Sequence, residues 1–492
     1  MWQLDPQTYE VQKVWFGRTL IRSSHKMFYE AAQALHDGKD VRQDIPELAG
    51  MNDDEVQKRL SDLRWCIDKL MDIARSLKAR RVIGGAVQLE GIEVKVELNE
   101  EQEIEDLVPK QTMEIHETIA ECMIFANHWV AKKIAETFPN FALLRHHPLP
   151  RKDQFQDLVD SAKARGFIID TSSNKALADS LDKCVDPEDP VYNKILRLLA
   201  TKAMSNALYF STGSLPRDQF FHYGLALDRY THFTSPIRRY ADIIVHRLLM
   251  AAISEDQVTR QPLLGNNELE ELCGHINSRH RASQHAQQDS QALFQALFFK
   301  DKEPMTDECC TVDAVVHGLR ANGFLIFIPR YGIKGAVSLK DREGRVCDLT
   351  EDGKPTWNAG SVTRTAYAIT VTTATAQSTF NLFDHVTVRI SVQSSRAHSQ
   401  SLHYELISTK PHLASQPSEH GHSLHTDIIQ EVTSVTEEQK DRVTDSIYEN
   451  VDVMGSSIVE LREAYGQTDS SKSLYSLLQE FAEMGLQEDE PG

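Results

Sequence analysis

Tyr230-Thr-His-Phe-Thr-Ser-Pro-Ile-Arg-Arg-Tyr-Ala-Asp-Ile-Ile-Val-His246 is the stretch on which the reading of this chain turns. Ser235 followed by Pro236 is a helix-start signal, an N-cap hydroxyl and then a proline where a missing N–H costs nothing. Ile237, Tyr240, Ala241, Ile244, Leu248 and Leu249 have the spacing of a packed helix, predicted over 236–253. The first turn breaks a rule. A helix N-terminus carries partial positive charge and favours acidic side chains, yet Arg238 and Arg239 stand there. Two guanidinium groups beside free backbone N–H groups make an anion site. Asp242, four residues after Arg238 and three after Arg239, can orient either one, and His246 continues the polar stripe. A solvated helix start with an internal ion pair gives the same pattern.

The 492 residues are 41% hydrophobic and 25% charged, in the range of a soluble globular protein of two or three domains. No run is long and apolar enough to span a membrane, and Met1-Trp-Gln-Leu-Asp-Pro6 lacks a signal pattern. Seven scattered cysteines without a CxxC fit a reducing cytosol. The net charge of −19 argues against coating a duplex, but it is uneven. Residues 411–492 hold 17 acidic against 4 basic side chains, −13 of the total, which leaves −6 for residues 1–410. A basic channel for a single strand is compatible with that balance.

Outward from the opening stretch, Trp2 and Leu4, then Val14, Phe16 and Leu20, read as strands about a turn at Asp5-Pro6. Helices are predicted over 21–36, 53–82, 111–138, 152–165, 174–186, 190–210 and 267–299. Asp53-Asp54 reads as the acidic first turn of a helix, and Asp186-Pro-Glu-Asp-Pro190 as a turn. A hairpin is expected about Gly91, followed by a solvated acidic run over 100–106. Arg145-His-His-Pro-Leu-Pro-Arg151 reads as a basic, proline-bounded loop; its adjacent histidines lack the i, i+4 spacing of a helical zinc pair. Residues 310–408 change to a period of two, with a hairpin signal at Ala321-Asn-Gly323 and a polar loop over 340–362. Segments at 312–316, 324–328, 331–337, 366–371, 386–392 and 404–407 follow one another, and five strands of this kind fit an OB barrel. Phe324, Phe327, Arg330, Tyr331 and Lys334 are candidates for stacking on bases and binding phosphate, although some of the aromatics must be core. The remainder, 411–492, has a disordered composition with one short amphipathic stretch, Leu474 to Met484.

Thr234-Ser-Pro-Ile-Arg-Arg-Tyr-Ala-Asp242, after His222-Tyr-Gly-Leu-Ala226 and before Val245-His-Arg-Leu-Leu249, resembles the RNB signature of the RNase II/RNase R family. These are 3′→5′ exoribonucleases. The resemblance covers about residues 1–410 and is nearest to the eukaryotic exosome ribonucleases, in particular a cytoplasmic Dis-three-like form. It implies a mixed α/β RNB domain remnant over 1–300, an all-β S1-type OB barrel over 310–408 and an acidic tail over 411–492. It also implies hydrolysis of single-stranded RNA from the 3′ end with Mg2+, an exosome core as partner and a cytoplasmic location. By the same resemblance Arg238, supported by Arg239 and Asp242, acts on the scissile phosphate. Tyr29 stacks on bases, and Glu121, with Asn127 on the same helix and His246, lines the RNA path; a glutamate there binds ribose hydroxyls. Arg80-Arg81 lie beside that path. In the family the magnesium-binding aspartates precede the point matching Trp2, and neither Asp53-Asp54 nor 186–190 has their spacing, so no metal ligand is assigned. An inactive form that only binds RNA or a partner is the alternative expectation.

Overall fold

The computed structural model describes residues 1–87, 94–101, 103–109, 112–254, 263–349, 355–394 and 400–411. The hairpin turn expected about Gly91 and the 412–492 tail, with its 474–484 stretch, lie outside them.

The chain opens with β1 (Trp2–Leu4) and β2 (Val11–Val14), an antiparallel pair. Asp5 makes the turn by accepting the N–H groups of Gln7 and Thr8, each at 2.9 Å. Phe16 and Leu20 lie beyond the strand, and α1 (Tyr29–His36) starts eight residues later than the 21–36 reading. Helix α2 (Asp53–Ile83) has the acidic first turn expected of Asp53-Asp54, and Asn52 caps it, its side chain accepting from Glu55 N at 2.8 Å. Its apolar face covers Val41, Ile45 and Leu48.

The acidic run is not a free loop. β3 (Val94–Leu98) pairs with β4 (Ile104–Pro109), because Asn99 accepts from Glu101 N and Glu103 N and so folds the turn itself. Helix α3 (Glu114–Thr137) follows, and then β5 (Leu143–His146). Arg145 and His146 are therefore in a strand rather than a loop. Three helices come next, α4 (Gln156–Ala164), α5 (Asn174–Lys183) and α6 (Pro190–Ala203). The last helix ends seven residues before the predicted 210, since Leu208–Ser211 is β6, paired with β5. Helices α7 (Tyr240–Ile253) and α8 (Asn266–Lys300) complete this part.

One core lies under everything that follows. Val130, Ala131 and Ile134 of α3 meet Leu143 and Leu144 of β5 and Tyr209 and Phe210 of β6. Ile244, Val245 and Leu248 of α7 and Leu269 and Cys273 of α8 close it. Burying each of the large side chains is worth about 1.5–3 kcal/mol, enough to fix the mutual positions of α3 and α7.

The barrel is made of five strands, β7 (Thr311–Arg320), β8 (Gly323–Ile328), β9 (Ile333–Ser338), β15 (His385–Ser394) and β16 (Gln400–Ser408). It closes by a parallel contact of β9 with β16, where Val337 faces Tyr404. Gly335 makes that closure possible: a Cβ there would stand 2.4 Å from the Tyr404 ring. Two expectations change here. The polar loop over 340–362 contains β10 (Val346–Leu349), β11 (Pro355–Asn358) and the start of β12 (Gly360–Arg364). The strand predicted at 366–371 belongs with β13 (Ala368–Thr373), which joins β12 and β14 (Gln377–Asn381) in a separate sheet.

The helices and the barrel are latched together. Arg165, after α4, pairs with Asp186 and, at 3.2 Å, with Asp189, and donates to the Phe383 carbonyl at 3.3 Å. His385 of β15 meets Asp189 at 3.4 Å, and Tyr192 packs edge-on against Phe383 at 4.6 Å. Burial pushes the Asp189 carboxyl up, but His385 and Arg165 outweigh it and hold the group below its usual range.

Candidate functional site

The signature stretch does not begin its helix where Ser235-Pro236 suggests. Residues 236–238 form a turn, Arg239 is extended (φ −125°, ψ 118°), and α7 begins at Tyr240. The reason is Asp242, which is fully buried. Its Oδ1 accepts from Ser235 N at 2.7 Å and from Arg239 Nη2 at 2.8 Å, while its Oδ2 accepts from Arg239 Nε at 2.8 Å. One carboxylate thus holds a backbone group before the turn and a guanidinium after it. Straightening 236–239 into helix would lose that bidentate pairing. Of the two arginines it orients Arg239, not Arg238. Arg239 retains 15% side-chain exposure, whereas Arg238 stands exposed on the turn.

The loop before the turn is gripped from both sides. From α3, Asn127 donates Nδ2–H to the Tyr230 hydroxyl at 3.0 Å and accepts from Phe233 N at 2.8 Å. From α7, His246 stacks on Phe233 with ring centres 4.2 Å apart, and its Nε2 donates to the Phe233 carbonyl at 2.9 Å. Thr231 donates its hydroxyl to Leu143 O at 2.8 Å. Asn127 and His246 hold the loop that carries the arginines.

Glu121 is buried at 2% exposure and is taken by Arg81 of α2, whose Nε lies 3.0 Å from Oε2 and whose Nη2 meets Oε1. Arg80 donates to the Thr8 and Tyr9 carbonyls. Both arginines read as flanking an RNA path are therefore engaged within the fold. Tyr29 is half-buried at the start of α1, its ring 4.4 Å from His116.

In the barrel the candidates divide. Phe324 and Tyr331 are completely buried, Phe324 against Phe380 and Tyr331 against Phe298 and Phe299 of α8, so neither can stack on a base. The inward face of β8 and the turn after it aim them at the core. Arg330 and Lys334 are exposed, and Arg330 lies 5.1 Å over the Tyr331 ring.

The sequence reading missed a buried imidazole–phenol network below the turn. His147 meets His222 at 5.4 Å, His222 meets Tyr230 at 5.2 Å, and Tyr230 meets His232 at 5.6 Å. His232 contacts the Tyr209 hydroxyl, and Arg145 lies 4.9 Å over the Tyr209 ring. Burial first, then the neighbouring His147 for His222 and the charge of Arg145 for His232, keeps both well below the ordinary histidine value; burial pushes His147 down to about 4. These imidazoles are neutral packing and do not serve as cations at neutral pH. Adjacent strand positions and a 75-residue gap to His222 leave no local pattern that would reveal them.

With this geometry in place, the comparisons with known proteins are informative. The chain matches the RNB domain over residues 1–255 and an S1 domain over residues 310–403. It belongs to the RNB family. A probable exosome complex exonuclease RRP44 of Caenorhabditis elegans is 38% identical over 345 residues, 70% of this chain and 33% of that protein. The exosome complex exonuclease RRP44 of Mus musculus is 36% identical over 411 residues, 83% of this chain and 38% of that protein. The chain thus spans about a third of the length of the curated relatives it matches. In fold it resembles Mycoplasma genitalium RNase R bound to ribose-methylated single-stranded RNA, with TM-score 0.55, 18% identity and 72% of this chain against 52% of that one. It also resembles yeast Ssd1, described as a pseudonuclease, with TM-score 0.59, 18% identity and 83% against 56% coverage.

Exonucleases of the RNB family are generally dependent on a divalent metal. Among the described residues no three His, Cys, Asp or Glu side chains are grouped to hold one. The two carboxylates read as site residues are committed, Asp242 to Arg239 and Ser235, and Glu121 to Arg81. The described residues do not fit a metal site.

Proposed function

We propose that this chain supplies the RNA-gripping part of a 3′→5′ exoribonuclease acting on single-stranded RNA, with Mg2+ as the metal of the whole enzyme, an exosome core as partner and the cytoplasm as its place of work. The observation that carries this reading is the turn itself. A buried carboxylate, a buried amide and a stacked imidazole fix a loop whose outward product is Arg238, with the Arg239 guanidinium set behind it. Two preorganised guanidinium groups bind a phosphate and oppose charge that develops on it. Asn127, His246 and Asp242 position that pair. Glu121 is offered to RNA only through Arg81, and Tyr29 remains the base-stacking candidate. In the barrel Arg330 and Lys334 are the phosphate contacts.

A second reading, a form that binds RNA or a partner without cutting, is favoured by the commitment of Asp242 and Glu121 to internal arginines. Both readings are tested by incubating 5′-labelled RNA with Mg2+ and this chain, unaltered and as Arg238→Ala. We expect binding without shortening, and binding weaker by about ten- to a hundredfold in the variant, from loss of one charge-assisted contact worth about 1.5–3 kcal/mol. Shortening from the 3′ end that disappears in Arg238→Ala makes this chain a nuclease by itself. Equal binding by both forms removes Arg238 from the RNA site.

A further inference from the structure

Residues 17–24, Gly-Arg-Thr-Leu-Ile-Arg-Ser-Ser, are all exposed, eight in succession without helix or strand. Leu20 is 102% and Ile21 84% exposed; Trp15 and Phe28, at the two ends, are 45% and 55%. Among the described residues the backbone of 16–25 makes no hydrogen bond. The segment is nonetheless held at both ends. Phe16 packs on the core that also takes Phe233 and α7, and Met27 packs on the core between α1 and α2. Lys26 N donates to Glu47 at 3.0 Å. Trp15 lies over Gly17, where a Cβ would be 2.1 Å from its ring.

The charge of this strap is opposite to that of the molecule. In a chain of net charge −19, residues 11–29 carry Lys13, Arg18, Arg22 and Lys26 and no carboxylate. Among the described residues no acidic side chain lies in ion-pair range of Arg18, Arg22 or Lys26. Cations spaced along an exposed segment outside helix and strand, with aromatic and aliphatic surface between them, are what a flexible polyanion with flat bases requires. One end of the strap shares a core with the Arg238 turn, and the other runs into Tyr29.

We propose that the 15–28 strap is a single-stranded RNA track, with Arg18, Arg22 and Lys26 on phosphates along the strand and Trp15 and Phe28 as base platforms. It extends from the Arg238 turn toward Tyr29. This inference rests on the RNA-binding reading above.

The test measures binding of a 5′-fluorescent oligouridine of about 20 nucleotides between about 50 and about 200 mM salt. The unaltered chain is compared with Arg18→Ala/Arg22→Ala/Lys26→Ala, with Leu20→Ser/Ile21→Ser and with Arg238→Ala. The basic triple variant should bind about tenfold more weakly at the middle of that range. Its log–log salt slope should fall by about 2, from three lost contacts at about 0.7 each. Leu20→Ser/Ile21→Ser should change affinity by less than about twofold, since phosphate contacts carry the salt-dependent term. All these positions are exposed, so thermal midpoints should match the parent; should the triple variant fail that check, Arg22→Glu alone gives the same readout. Unchanged affinity and slope in the basic variant, with weakened Arg238→Ala, overturn the track and leave the functional reading standing. Self-association that Leu20→Ser/Ile21→Ser abolishes, with the basic variant still binding RNA normally, identifies a protein interface and also overturns it. No binding by the unaltered chain overturns both readings.

Discussion

Residues 230–246 and residues 324–334 are both rich in aromatic and charged side chains, and they turn opposite kinds inward. In the first, the buried groups that decide the geometry are polar: Asp242 is 0% exposed, and Asn127, which grips the loop from α3, is 2%. In the second, the buried groups are aromatic, Phe324 and Tyr331 both at 0%, and the cations Arg330 and Lys334 lie outside. Both regions end up presenting guanidinium or ammonium groups to solvent. The turn does so by satisfying every inward polar atom with a specific partner, the barrel by ordinary packing. The turn is therefore the more brittle of the two, because removing one partner strands another polar group.

The largest effect should come from Asp242→Ala. It leaves Arg239 without its bidentate acceptor and is expected to cost about 3–5 kcal/mol, measured by urea denaturation, with RNA binding lost as the turn relaxes. A loss under about 1 kcal/mol would put the turn on the same footing as the barrel. Next comes pH, because a histidine pushed down to about 4 by burial lies close to each region, His147 in the network under the turn and His317 on β7. The unfolded chain takes up these protons near pH 6.5 while the folded chain does not, so stability is complete above about 6.5 and declines as pH falls toward about 4. A urea midpoint that stays flat between those values would show that neither site behaves as described. Tyr331→Phe should cost about 1 kcal/mol, through the 3.1 Å hydrogen bond to Cys309 O, and leave RNA affinity unchanged. Weakened binding of RNA would return that ring to the interface. Arg330→Ala with Lys334→Ala should alter stability by no more than about 0.5 kcal/mol yet reduce RNA affinity, as read from paired thermal and binding titrations.

Local spacing revealed much of this molecule. The caps and period of α2, the apolar face of α7 and the alternation in β7 and β8 are short-range patterns, and the elements formed nearly where they are expected. What escaped is long-range pairing. Nothing in residues 78–82 says that Arg81 will meet a glutamate 40 positions on, and that partner decides whether Glu121 faces RNA. The helix start at Ser235-Pro236 failed for a related reason: a buried side chain seven residues away outcompeted the local signal. Along β8 and the turn after it, only the closed barrel determines which aromatics point inward.

The latch of Arg165, Asp186, Asp189 and His385 gives the molecule a fixed gauge length. Because it ties the first part of the chain to the barrel, the distance from Arg238 to Arg330 and Lys334 is set by the protein, and under the proposed function an RNA strand has to match it. A strand too short to reach from one to the other engages a single end. Affinity plotted against oligonucleotide length should accordingly rise in a step, and the position of that step measures, in nucleotides, the ruler built into the fold.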